Sequence, residues 1–484
     1  MLTKNSFPSG FYNSFSIHPT AIRVFRVVLG SIVILDLILR FSNFHYFYSA
    51  TGLFPHEALH DTNLPYWLSI YYYAKSDFSQ FALVAFNLVV AFLFVIGKFP
   101  KISALLLFYL KYSLQTRNPA INSTAHWILY YTLLWSIFIP EEPLKKGNRK
   151  PFFAWSTLPL LIQPAIIHFH AGYSKVDGDS WIDGTALTRI LLSPSTSGLL
   201  NNPTMKTLKY FEPYLSILIP YLMMGFALLL LVPGKKGRIR LTACVFFFVF
   251  HFLIAISILV GLFGPITSTT LIPLIPPSVW DWGDKKRELF LVKSKTFTSK
   301  FRTTLALSLL CLVIWGAYYS STAHNWKTMG SAPKILGKIN RNFKFIQSFA
   351  MFRRPKIIGY YKHRLELLDK NGAILESFYP GQVALSPDIY ISKNIYWFVY
   401  FLSFRREQEK PDTSRAPIQH YFTSYLCQGP KNVSSLPGAP KKIPSFVGFR
   451  LNFLLKYYEP TAPGEIKLDE EWTKLVLLEK KCEG

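Results

Sequence analysis

Lys175 is the residue in this chain most readily assigned a chemical task. It ends an apolar run, in the segment FHAGYSKVDGDSWIDGTAL (169–187), with Tyr173 and Trp181 close by in sequence. A free lysine has a pKa of about 10.4, so only about one in 2500 is neutral at pH 7. Bringing it near 7 needs a differential of roughly 4–5 kcal/mol, within what burial supplies. Lysines that act as general bases are tuned in this way. The competing reading is a lysine that snorkels to the interface beside Asp177. His168 and His170 stand two residues apart and so point in different directions on a helix, which argues against a metal pair. No HExxH, CxxC, P-loop or dinucleotide glycine pattern occurs. His126 and His251 add single imidazoles, each readable as a packing residue. Arg23, Arg26, Asp36 and Arg40 share the first apolar segment. Arg26 and Asp36 are too far apart to pair along one helix, and Arg23 and Arg40 are expected to snorkel to opposite faces.

The elements that must position these residues are membrane helices. The chain has 484 residues, 50% hydrophobic, 17% aromatic and only 17% charged. Soluble domains carry about a quarter charged residues. The net charge of +26 at first points to nucleic acid, but the cations cluster between apolar runs, which is the membrane pattern. A spanning helix needs about 20 mainly apolar residues. Such stretches occur near 21–40, 80–97, 102–116, 124–140, 152–172, 211–232, 241–263 and 303–320, with a Pro-interrupted ninth at 264–279. The fold class expected is an all-α polytopic bundle of about nine spans (1–320) followed by a small extracytoplasmic α+β domain (321–484).

Basic connections at Lys98/Lys101, Lys145–Lys150, Lys235–Arg240 and Lys285–Arg302 alternate with connections poorer in Lys and Arg. A cytoplasmic N-terminus satisfies that alternation and places Lys175 and the tail outside. In the tail, Asn371-Gly372 signals a hairpin between 364–368 and 373–378. Segments 394–409 and 417–427 read as helices, 450–458 and 474–480 as strands. Cys427 and Cys482 would then meet an oxidising compartment and are candidates for a disulfide. Cys244 and Cys311 lie within spans and read as packed thiols.

The segment 169–187 resembles the signature of the HTTM family, the membrane domain of vitamin K-dependent γ-glutamyl carboxylase and its bacterial relatives: a small-residue turn, a lysine, an acidic position and Trp-x-x-Gly. IRVFRVVLGSIVILDLILR (22–40) resembles the first family helix, NSTAHWILYYTLLW (122–135) the Asn/His-bearing helix, and QSFAMFRRP (347–355) the outer segment where the family chain resumes. The resemblance spans residues 15–355 and is strongest at 165–190.

What the resemblance implies is a quinol-dependent oxygenase or epoxidase in the bacterial inner membrane. Reduced vitamin K or a related quinol is deprotonated, O2 adds, and the resulting alkoxide takes a γ-hydrogen from peptide glutamate, whose carbanion captures CO2. By position in the motif the base maps onto Lys175 and a supporting histidine onto His126. Asn122, Trp181 and Asp183, with His251, are the candidate substrate-binding residues. The partners expected are the lipid bilayer and a Glu-containing peptide; neither a metal nor nucleic acid is. Two departures stand out. The carboxylases carry two adjacent lysines where this chain has Ser174-Lys175, and the outer region here is much shorter than in the animal enzyme. The alternative is a non-catalytic scaffold or peptide-maturation factor on the same fold; transport fits less well, because no inverted halves are evident.

Overall fold

The computed structural model describes residues 15–60, 65–144, 149–191, 202–232, 237–258, 260–280, 300–322, 359–380, 382–384, 390–392, 418–462, 465–468 and 473–482. Helix α1 (Pro19–Phe41) starts with a proline at its first position and His18 as its cap, whose ring accepts from the Thr20 amide. Helix α2 (Asp77–Ile96) begins in a reciprocal Ser76/Ser79 capping box and stops at Gly97, which takes a left-handed φ of 78°. Its buried residues Val84, Asn87, Ala91 and Phe94 repeat at three and four positions and face α1. Gly30 of α1 permits that approach, since a Cβ there would lie 3.2 Å from the Phe94 ring. The opposite side of α2 exposes Phe78, Phe81, Phe86, Val89, Phe92 and Ile96.

Helices α3 (Pro100–Arg117), α4 (Thr124–Ile137), α5 (Leu158–Val176), α6 (Asn202–Leu229), α7 (Arg238–Ser257), α8 (Phe263–Leu271) and α9 (Lys300–Thr322) complete the helical part. α5 packs chiefly on α6, α3 on α4, and α8 against α7 and α4.

Three helices are long and apolar enough to cross a membrane: α2, the 211–229 part of α6, and α7, with mean hydropathies of 2.3, 1.4 and 2.3. Only 33%, 28% and 28% of these stretches is buried inside the protein, so most of their apolar surface faces outward. About nine such spans were expected. The difference has identifiable causes. α1 carries Arg23, Arg26, Asp36 and Arg40, and α3 carries Lys101, Lys111 and Arg117. α4 has only 14 residues and α8 only 9. α5 is diluted by Gln163, His168, His170 and Lys175. Several of these polar groups are sequestered between helices, and a linear reading for apolar stretches counts them as if they faced lipid.

The C-terminal part is a β-sheet with one packed helix. Strands β1 (Gly359–Leu368), β2 (Ile374–Phe378), β5 (Gly448–Ala462), β6 (Glu465–Leu468) and β7 (Thr473–Lys481) form one antiparallel sheet in the order β2-β1-β5-β6, with β7 also on β5. Strands β3 (Gln382–Ala384) and β4 (Tyr390–Ser392) pair separately. The β1–β2 turn is the expected Asn-Gly one, with Gly372 at φ 81° and the Asp369 carboxylate accepting the Asn371 and Ala373 amides at 2.8 Å each. Leu365, Leu367, Phe449 and Leu451 fill one face of the sheet, and helix α10 (Ile418–Cys427) covers it with Phe422 and Leu426. Cys427 and Cys482 are joined by a disulfide with a Cα–Cα distance of 5.2 Å. The helix expected at 394–409 and the segment 347–355 lie outside the described residues.

This unit rests on the chain just beyond α1: the Tyr46 hydroxyl donates to the Ser435 carbonyl at 2.5 Å, and Phe54 meets Tyr421 at 6.2 Å. The start of α1 lies at the other end, where the Arg26 guanidinium sits against Gly97. Cys244 is buried, as expected of a packed thiol, whereas Cys311 is exposed on α9.

Candidate functional site

Lys175 occupies the last turn of α5 and is 6% exposed. It does not snorkel. Its Nζ turns back to donate to the Ala171 carbonyl at 2.8 Å and lies 5.6 Å from the centre of the Trp181 ring. No carboxylate among the described residues pairs with it, Asp177 included. Trp181 is itself buried, on the short helix Asp179–Ile182 that follows α5.

The glycines of the motif explain how this corner closes. A Cβ at Gly172 would meet the Pro220 carbonyl at 2.6 Å and Met224 at 2.9 Å, so the small residue lets α6 lie directly on α5. Gly184 has φ 78° and packs on Pro213, also of α6. Asp183 is half exposed and caps the next helix, accepting from the Thr185 amide at 2.9 Å and its hydroxyl at 2.6 Å. Glu212 of α6 accepts the Thr188 amide at 2.7 Å. Asp183 therefore holds the loop, and Trp181 is the motif residue in contact with the amine.

A second centre surrounds Asp36, which is fully buried. Arg40 Nε donates to both carboxylate oxygens, at 3.2 and 3.0 Å, and Lys111 of α3 donates to one of them. His126 Nε2 lies 3.1 Å from the other. The tautomer of His126 follows from its far side: Nδ1 accepts the Ser123 backbone N–H at 2.9 Å, so the proton sits on Nε2 and is donated to Asp36. One carboxylate thus faces two cationic side chains and a neutral imidazole. Arg40 also donates to the Tyr48 hydroxyl. Nearby, buried Arg117 is satisfied by Gln80 Oε1 at 3.0 Å and by the carbonyls of Phe54, Tyr48 and Ser49 at 2.9, 3.0 and 3.2 Å. Asn122 donates to the Gln115 carbonyl at 2.6 Å, and its own Oδ1 is buried without a partner among the described residues.

A third centre joins α5 to α7. His168 Nδ1 donates to the Pro164 carbonyl at 2.5 Å, which leaves Nε2 as the acceptor of a neutral ring. His251 Nε2 lies 2.7 Å from it and is the donor. His251 Nδ1 is then an acceptor, buried near Phe247, Phe250 and Phe263 and without a partner among the described residues.

The sequence-derived candidates fall into separate places. Lys175 and Trp181 come together. His126 belongs to the Asp36 centre, and no hydrogen bond or ion pair among the described residues joins it to Lys175. His251 pairs with His168, and Asn122 lies at the start of α4. Lys111, Tyr48 and Arg117 were not singled out by sequence, and Arg40 is 1% exposed where snorkelling was expected. The spacing of Asp36 and Arg40 is the signal that would have found the pair. Among the described residues no group of three or more His, Cys, Asp or Glu side chains is placed to hold a metal ion. No family model, curated protein or solved structure matches this chain.

Proposed function

We propose that the chain is a membrane enzyme of the HTTM type, similar to vitamin K-dependent γ-glutamyl carboxylase, in which Lys175 takes a proton from an apolar quinol. The observation that carries this reading is the setting of the amine: buried, given one backbone carbonyl, and lacking a carboxylate. An ammonium without water or an anion is costly by several kcal/mol. The attraction of the Trp181 face for a cation, about 1 kcal/mol, is small beside that. A lysine so placed is suited to accept a proton at neutral pH, and Lys111, bonded to Asp36, is not. A quinol would reach it laterally from the bilayer, which accounts for base chemistry at the end of an apolar helix. O2 and CO2 are the co-substrates on this reading, with peptide glutamate as the carbon acid. His126 then acts on Asp36 and the helix packing, not on the base.

The reading includes a multi-pass bundle in a bacterial inner membrane, with the N-terminus cytoplasmic and the C-terminal unit outside. The separation of ends supports it: Lys98 adjoins Gly97 at the start of α1, and Ser435 meets the chain beyond its finish. A non-catalytic scaffold or maturation factor is the second reading, favoured by the packing duty of Gly172 and Gly184. The deciding experiment supplies purified protein with reduced vitamin K and O2, and measures epoxide with and without a Glu peptide and labelled bicarbonate. Epoxide formation supports the enzyme; none with any reduced quinone tried leaves the scaffold.

A further inference from the structure

Away from these centres, an open crevice with about 320 Å³ of empty space lies between the first turns of α1, the end of α2, the start of α3 and the chain after α4. Ile22, Phe25 and Phe94 give it apolar walls, and Arg26, Lys101 and Glu141 supply charge. Arg26 is the unusual member. Its guanidinium lies against Gly97, where a Cβ would overlap it, and the backbone there offers it no acceptor. No hydrogen bond or ion pair reaches it from the described residues, and its Nε is buried without a partner. Lys101 and Glu141 are 3.7 Å apart, at the outer limit of an ion pair, and both are partly exposed. A planar fork of five donors with no protein acceptor matches two oxygens of a phosphate or carboxylate.

The location narrows the class of anion. Gly97 ends α2, one of the helices apolar enough to cross a membrane, and the outward face of that helix presents Phe86, Val89, Phe92 and Ile96 up to this point. A ligand in the crevice therefore has lipid beside it, a basic group at headgroup level, and apolar walls beneath.

We propose that this crevice binds one anionic phospholipid, with Arg26 forking the phosphate, Lys101 adding charge and the Ile22, Phe25 and Phe94 walls taking the first carbons of an acyl chain. Basic pockets between membrane helices recognise headgroups in this way. The inference does not depend on the quinol reading. The test titrates the full-length protein in detergent with phosphatidylglycerol or phosphatidylcholine and counts retained lipids by native mass spectrometry. Saturable retention of one phosphatidylglycerol, weakened about tenfold by Arg26→Gln and less by Arg26→Lys, is the expected result. Lys101→Gln, at the partly exposed edge, should weaken retention and flatten its salt dependence, and carries the test if Arg26→Gln does not fold. Equal retention of both lipids, or retention unchanged in both Gln variants, overturns the proposal. Displacement of the lipid by an equal concentration of inorganic phosphate also overturns it, making the crevice a free-anion site.

Discussion

Asp36 and Arg40 are one turn apart on α1, and Arg40 Nε reaches both oxygens of the carboxylate, at 3.2 and 3.0 Å, with both side chains excluded from water. Lys111 and His126 then tie the same carboxylate to α3 and α4. Asp36→Asn would leave two cations facing a neutral amide. Breaking a buried charge pair costs about 3–5 kcal/mol, so the variant should melt well below the parent in detergent. Adding Lys111→Met should recover part of the loss, because it removes one stranded charge. A single Asn variant that melts like the parent would show that the centre contributes nothing to stability.

The Lys175 series tests the base directly. Lys175→Ala should abolish epoxide formation with little change in melting, since the residue ends a helix and leaves no deep cavity. Small exogenous amines should restore part of the rate by replacing the proton acceptor. Lys175→Arg should stay inactive, because guanidinium does not give up its proton. Normal epoxidation by the Arg variant would remove the general-base assignment.

His168 and His251 form a pair whose coupling is measurable. His251→Leu leaves the His168 Nε2 acceptor buried and unmatched, and His168→Leu strands the His251 donor. Each loss should cost about 1–3 kcal/mol. The double Leu variant should lose less than the sum of the two singles, by about 0.5 kcal/mol or more. Thermal denaturation of the four proteins gives the cycle; strict additivity would mean that the imidazoles do not interact.

Much of this was legible along the chain, and the illegible part has a common cause. The Asn371-Gly372 turn, the strands near 450–458 and 474–480, and the helix near 417–427 follow from local chemistry, and they occur with small changes of boundary. Lys175 was marked by its place at the end of an apolar run. The partners were not readable, because they arrive from other helices: Lys111 from 75 residues beyond Asp36, and His251 from 83 beyond His168. The span count failed for the same reason. Hydropathy adds residues one at a time, whereas Asp36, Arg40 and Lys111 remove each other from solvent as a group.

In the C-terminal sheet, Arg450 donates to Glu479 at 2.7 and 3.0 Å and holds its carboxyl below the usual glutamate range. A depressed folded-state value means that the contribution is present above the unfolded value of about 4.3 and is lost as pH falls through the folded one. The pair is exposed, so the effect should be small and fade in salt. Between pH 6 and pH 3 the last strand should become easier to cleave with an acid-stable protease, and Glu479→Gln should reduce that dependence. An unaltered pH response in the Gln variant would assign it to other carboxylates.

Sidedness is open to reporter fusions. A fusion after residue 330 should report an extracytoplasmic position and one within 145–150 a cytoplasmic one. The reverse pattern would move Lys175 to the cytoplasmic face.

The contact between Tyr46 and Ser435 spans 389 residues of sequence. The loop it holds also supplies, through Tyr48, Ser49 and Phe54, the carbonyls that surround Arg117. The helical part is therefore braced at one end by the portion of the chain that leaves the ribosome last. Its first helices must wait, with Arg117 still short of its full set of acceptors, until the final strand has been made and Cys482 has reached Cys427. Assembly at this end is set by the completion of synthesis and by oxidation, and a chain stopped before residue 435 would carry all ten helices except for the support that finishes the first of them.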